Sequence, residues 1–184
     1  MGHIPILEIP EDIHKVCQNY NSVFERKPQF KNFERFITGI IVNDKANIQA
    51  LAKSFRRGRY DRYDSLHHFL SESLWDYEKI METSISVIKH LDEPFSFSEK
   101  KGWLVIDDTL IEKYGKFMEG TGKLYDHTKG CYLEYGHCLV VFLYIDKRGN
   151  RYPLKFDLYL KEDYCEIVKD RFRTKIEIAK ELIQ

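Results

Sequence analysis

The residues with the clearest chemical potential are two adjacent acids, Asp107 and Asp108, followed by Thr109. They close an apolar run, Trp103-Leu104-Val105-Ile106, that begins after Gly102. Such a run predicts a buried strand covered on both faces. Carboxylates delivered at its far end need water, a cation or hydrogen-bond donors, because an unpaired buried charge is costly. Hard divalent cations such as Mg²⁺ take carboxylate oxygens, and a strand-end Asp bridging two such ions suits phosphodiester chemistry. The plainer alternative is a strand ending in a turn, where Asp and Thr are common. One strand-end acid does not make a site; further carboxylates must converge on it from elsewhere.

Other groups with chemical potential lie on either side. From Arg26 to Arg62 there are ten Lys or Arg against three acids. Within that stretch, Arg56, Arg57, Arg59 and Arg62 form the densest cluster, interleaved with Tyr60. Cations of this kind grip phosphate with little regard to sequence, and aromatics among them can stack on bases. A solvated helix face would show the same composition. Lys113 and Lys116, just after the acids, are placed to meet a phosphate backbone or to lie on the surface of a flap. His127, Cys131, His137 and Cys138 have ligand chemistry for zinc, but their spacing matches no standard zinc pattern. His67 and His68 read as an ordinary pair on a helix.

The bulk numbers narrow the class. At 184 residues, 43% apolar and 32% charged, the chain is ordinary globular material rather than disordered. Lys+Arg and Asp+Glu are both 29, so overall charge points to no partner. No stretch is long and apolar enough to span a membrane, and the N-terminus shows no signal-peptide core. Four dispersed cysteines without a C-x-x-C pair read as thiols in a reducing cytoplasm.

Two kinds of periodicity divide the chain. Up to about residue 97, apolar residues recur at helical spacing. They predict a helix from Asp12, which could cap it, through Phe24. Pro28 then marks a break. Further helices are predicted over Phe30–Ile41, Lys45–Ser54, from Ser65, and over Trp75–Leu91. A Pro/Ser/Glu/Lys linker precedes Gly102. From residue 98 the pattern becomes strand-like. After Trp103–Asp108 comes a glycine-rich stretch, Gly115 to Gly130, that reads as a long hairpin or flap. A strand over Gly136–Asp146, a turn at Lys147–Asn150 and a strand over Arg151–Leu160 follow. In the last strand Leu154, Phe156, Leu158 and Leu160 alternate with Lys155, Asp157 and Tyr159. A helix over Phe172–Ile183 closes the chain. The fold class is therefore α+β, with a helical unit at 1–97 and a strand-rich unit at 98–184.

Several strings taken together resemble the DDE transposases of prokaryotic insertion sequences. They are Trp103-Leu-Val-Ile-Asp-Asp-Thr-Leu-Ile-Glu-Lys-Tyr-Gly-Lys116, Met118-Glu-Gly-Thr-Gly122, Tyr125-Asp-His127 and Gly136-His137, with Ser65–Asp76 upstream. The resemblance covers the chain from about Phe36 onward. It implies an incomplete ribonuclease H-like β-β-β-α catalytic core after a helical DNA-binding region. It also implies Mg²⁺, with Asp107 or Asp108 as the first catalytic and metal-holding acid. The family pattern Asp-x-Thr favours Asp107. DNA at element ends is the implied partner, gripped by Arg56, Arg57, Arg59, Arg62, Lys113 and Lys116. The family's second Asp and its Glu belong to later elements, and neither Asp157 nor Glu177 takes their place by topology. The expectation is thus an N-terminal part of a transposase, inactive alone, that self-associates or needs a C-terminal half or a full-length transposase. Its place would be the prokaryotic cytoplasm, at the nucleoid. Two alternatives stand beside it: a catalytically inactive transposase-derived DNA-binding or regulatory protein, and an unrelated α+β interaction module whose Asp-Asp-Thr is only a turn.

Overall fold

The computed structural model describes residues 5–43, 47–55, 62–91, 102–114 and 118–184. It divides into two units, Met1–Ser96 and Phe97–Gln184.

The first unit is helical: α1 (Glu11–Gln18), a 3₁₀ turn (Asn21–Val23), α2 (Lys27–Val42), α3 (Ile48–Ser54), α4 (Arg62–Ser71) and α5 (Tyr77–Leu91). The first helix is shorter than its periodicity predicts. Pro10 stands at its N-cap, and Asp12, the expected cap, lies inside the first turn. The chain then tightens into the 3₁₀ turn, which buries Val23 and delivers Phe24 to the core. Pro28 opens α2 rather than breaking it; in the first turn its missing N–H has no bond to lose. Phe30 and Phe33 of α2 join Cys17, Val23, Phe24 and Phe69 in an aromatic core. Trp75 stacks on Phe69 with ring centres 5.7 Å apart, and its indole N–H donates to the Phe69 carbonyl. Gly39 lets α2 approach α3, since a Cβ there would meet a Leu51 methyl carbon at 3.0 Å.

The second unit is an antiparallel sheet with two helices: β1 (Gly102–Glu112), β2 (Gly122–Asp126), β3 (Cys131–Asp146), β4 (Arg151–Tyr159), α6 (Glu162–Val168) and α7 (Lys175–Ile183). The long β3 is its spine. β1 runs along one edge from Gly102↔Asp146 to Glu112↔Gly136. β2 and β4 share the other edge, pairing with Cys131–Gly136 and Cys138–Ile145 respectively. The glycine-rich stretch thus contains a true strand, β2, and β3 starts five residues before the expected Gly136. Among the described residues no strand pairs with the outer edge of β1.

One sequence expectation is corrected here. β1 is not buried on both faces: Trp103 and Leu104 are 65% and 62% exposed, and Val105 and Ile106 are only half-buried. The reason is the reach of α7, the helix that packs on this sheet among the described residues. Ile178 and Leu182 of α7 pack on Val140, with Ile106, Phe142 and Tyr159 around them, and residues 102–104 fall outside that patch. Two features place α7. Thr174 caps it, its hydroxyl accepting from the Glu177 N–H while the Glu177 carboxylate accepts from the Thr174 N–H. The short helix α6 ends at Lys169 in the left-handed conformation, which turns the chain back toward the sheet.

The β3–β4 turn is held by Asp146. Its carboxylate accepts from the backbone N–H groups of Arg148 and Asn150, both at 2.8 Å, and from the side chains of Arg148, Asn150 and Tyr152. Desolvation alone would raise this carboxyl; the bonds from Asn150 and Arg148 outweigh it and bring it down to about 2. A group lowered on folding stabilises above its unfolded value and loses that contribution as pH falls through its folded one. Stability should therefore fall between about pH 4 and 2 in the wild type. Asp146→Ala should lower Tm at pH 7 and flatten that acid limb, as thermal unfolding across this range would show. An unchanged acid limb would contradict the clamp.

Candidate active site

The two acids are separated by the pleat. Successive side chains on a strand point to opposite faces. Ile106 and Asp108 stand opposite Phe142 and Val140, both in the cluster that α7 covers. Asp108 therefore faces α7. Asp107 stands opposite Val141 and shares the other face with Val105 and Thr109.

Their surroundings differ accordingly. On the α7 side, Lys175, the first residue of that helix, donates to Asp108 Oδ2. The buried Cys138 thiol donates to the same oxygen at 3.6 Å. The bond from Lys175 holds the Asp108 carboxyl below its ordinary value, against the pull of partial burial. Burial pulls the Lys175 ammonium down, yet its contact with Asp108 leaves it raised. Burial likewise pushes the Cys138 thiol up.

Across the sheet from Asp108, through Val140, lies Asp157 of β4. Arg173, two residues before Lys175, donates to Asp157 at 2.8 Å and to Glu181 at 2.7 Å. Two cations at the start of α7 thus take two acids from the outer strands, with the central strand between them.

Asp107 has none of this. It is exposed, and the hydrogen bond it makes is local: its Oδ1 accepts from the Asp108 N–H at 2.9 Å. Among the described residues no cation pairs with it. An oxygen donor without a protein cation is what a hard divalent ion takes, so the chemistry of Asp107 fits such an ion. The number of ligands does not suffice: among the described residues no group of three or more His, Cys, Asp or Glu could hold a metal.

The remaining candidates are dispersed. Arg56, Arg57, Arg59 and Lys116 lie outside the described residues, and Arg62 is the first residue of α4. Lys113 follows β1, its N–H bonded to the Tyr135 carbonyl at 2.8 Å. His137 is engaged with the Glu119 carbonyl, and His127 stands edge-on to Tyr125 near the β2–β3 turn. In the sequence Lys175 and Arg173 are not singled out, and Asp157 is set aside by topology; the structure brings all three around the Asp108 face of the sheet. The Thr174-x-x-Glu177 capping box before an apolar run could have fixed the start of α7, and with it the place of Lys175.

This arrangement, helices followed in the chain by an antiparallel sheet whose edge strand presents a carboxylate, is compatible with a DDE nuclease. The family model described as "DDE superfamily endonuclease" matches residues 19–183, and the chain belongs to that family. It is 28% identical over 172 residues to the "Probable transposase for insertion sequence element IS701" of Microchaete diplosiphon. That match takes in 94% of this chain and 43% of the relative, so the chain spans less than half the relative's length. No solved structure matches it. No described helix is long and apolar enough to cross a membrane.

The geometry separates the acids in a stability experiment. Asp108→Asn removes half of an ion pair whose side chains are each about two-fifths exposed, so its cost should be modest, about 0.5–1 kcal/mol. Asp107→Asn should stay within about 0.5 kcal/mol of wild type, as for a surface change. Urea unfolding of both variants at pH 7 checks this; a larger loss for Asp107→Asn would contradict the assignment of faces.

Proposed function

We propose that this chain carries the first metal-holding carboxylate of a DDE transposase, Asp107, and that the whole protein cuts and joins DNA at element ends. The observation that carries the proposal is the exposed carboxylate of Asp107, on the face of β1 away from α7, inside a region matched by the DDE superfamily endonuclease family. A divalent cation such as Mg²⁺, when bound, neutralises charge on a phosphodiester and lowers the pKa of water. Asp107 supplies one oxygen ligand toward it; Asp108, already paired with Lys175, is the lesser candidate. The order of β1, β3 and β4 with α7 after them supports the reading of a ribonuclease H-like core. The further acids that such a site needs would come from residues outside those described, from the rest of a longer protein or from another copy. The open edge of β1 suits the same reading, since an unpaired edge recruits another strand.

In this proposal the helical unit holds DNA. Arg56, Arg57, Arg59 and Arg62 grip backbone phosphates, with Lys113 and Lys116 contributing near the acids, and the work is done in the prokaryotic cytoplasm. The regulatory alternative, a catalytically inactive DNA-binding relative, shares the DNA grip and lacks the metal.

Calorimetry with Mn²⁺ in place of Mg²⁺ tests the first half. Wild type and Asp108→Ala should give a binding heat that Asp107→Ala lacks; no heat from the wild type in the presence of short DNA would favour the regulatory reading. Fluorescence anisotropy tests the second. Replacing all four arginines by alanine should lower duplex affinity and reduce the log–log salt slope by about 3–4, the share of four phosphate contacts. An unchanged slope would remove the cluster from the interface.

A further inference from the structure

The glycine-rich stretch between β1 and β3 folds into a projecting ribbon. β1 pairs with β3 as far as Gly136, and β4 as far as Cys138. Beyond them, among the described residues, Cys131–Leu133 pair with β2 alone. The result is a two-stranded arm that outruns the rest of the sheet. Its turn is closed by Asp126, whose carboxylate accepts from the Thr128 and Lys129 N–H groups.

The contacts of Gly136 assign the faces of this arm. A Cβ there would meet methyl carbons of Leu124 and Leu133 at 3.4 and 3.5 Å, so both leucines share its face. Gly136 alternates along β3 with Cys138 and Val140, which is the α7 side. Tyr125, next to Leu124, and its cross-strand partner Tyr132 therefore turn the other way, to the face of Asp107. They are 42% and 64% exposed. Their rings meet edge-on at 5.0 Å, and His127 stands edge-on to Tyr125 at 4.8 Å. The Lys123 ammonium lies 5.0 Å from the centre of the Tyr132 ring. Of the nearby acids, Asp126 is engaged in the turn and Glu112 with Lys129, while Glu134 is exposed.

The open face of an antiparallel ribbon ordinarily carries polar residues. Here it carries two tyrosines between a histidine and a lysine. A cross-strand aromatic pair steadies a hairpin, but that role calls for no cation beside the rings. Exposed rings with cations beside them suit an unpaired nucleotide, whose base stacks on a ring while its phosphate meets the cation. A base inside a duplex has no free face to offer; a base out of the stack does. We infer that the β2–β3 ribbon is a DNA-docking arm, on which Tyr125 and Tyr132 stack an unpaired base while Lys123 and His127 meet its phosphate. The inference rests on the reading of DNA as the substrate.

The test uses the full 184-residue chain with a short, fully paired duplex and the same duplex carrying one unpaired iododeoxyuridine. Irradiation should crosslink that base to Tyr125 or Tyr132, as peptide mapping by mass spectrometry would show. In anisotropy titrations, Tyr125→Ala with Tyr132→Ala should weaken binding of the duplex with the unpaired base about tenfold and leave the paired duplex unchanged. Tyr132→Phe, which keeps the ring, should bind as wild type. If the alanine pair unfolds the ribbon, Tyr125→Leu with Tyr132→Leu keeps the apolar cover and should show the same selective loss. A crosslink outside the ribbon, or an equal loss on both duplexes, would overturn the inference and leave the DNA reading standing. So would a lowered Tm with unchanged affinity for both duplexes, the mark of a purely structural pair. No binding of either duplex by wild type would overturn the DNA reading and the inference with it.

Discussion

The register of β1 against β3 decides what each acid can do. A slip of one residue would exchange the faces of every side chain on the strand, putting Asp107 under α7 and Asp108 in the open. Apolar contact alone resists such a slip weakly here, because much of β1 is exposed and only Ile106 adds to the cluster under α7. The Asp108–Lys175 pair supplies the missing specification. After a slip, Lys175 would meet Thr109 or Asp107 in a changed geometry, and the Cys138 thiol would lose its acceptor. A partly exposed ion pair contributes little to stability. It can still contribute to uniqueness, because the alternative leaves a half-covered charge without its partner.

The rest of the second unit serves that register. β3 spans the sheet and pairs on both edges, so a single long strand carries the alignment from the β2 hairpin to the Asp146 clamp. Arg173 fixes the start of α7 against β4 while Lys175 fixes it against β1. The helix is thus tied to both outer strands by Lys175 and by Arg173 just before its cap, and its apolar stripe, Ile178 and Leu182, falls onto the central one. Asp107 inherits its orientation from these contacts without taking part in them. That suits a ligand, which must be held in place without being consumed by the protein's own cations.

Much of this was legible in the sequence, and the reasons for the exceptions are specific. The change from helical to strand periodicity near residue 97 and the alternation in Arg151–Leu160 both read directly as structure, because side-chain period follows backbone geometry. The Asp-Asp-Thr string was legible as part of a strand, and the fold places both acids within β1. Pro28 misled, since proline breaks a helix interior but opens a first turn equally well. β1 was read as buried because four large apolar residues usually are. Its exposure depends on what covers each face, which a local pattern does not record. Lys175 was invisible for a deeper reason: a lysine on an amphipathic helix looks like solvated surface until the register of another strand, 67 positions away, brings a carboxylate to it. The difference in surroundings between Asp107 and Asp108 could not be read from the dipeptide, because it is set by that same distant contact.

The most direct test of this account is a side-chain NOE measurement on the chain in solution. The account expects cross-peaks between the Asp108 β-protons and the Lys175 ε-protons, with the Asp107 β-protons seeing Thr109 and Val141 instead. Cross-peaks from Asp107 to Lys175, with Asp108 facing away from α7, would show the register displaced by one residue and would contradict it.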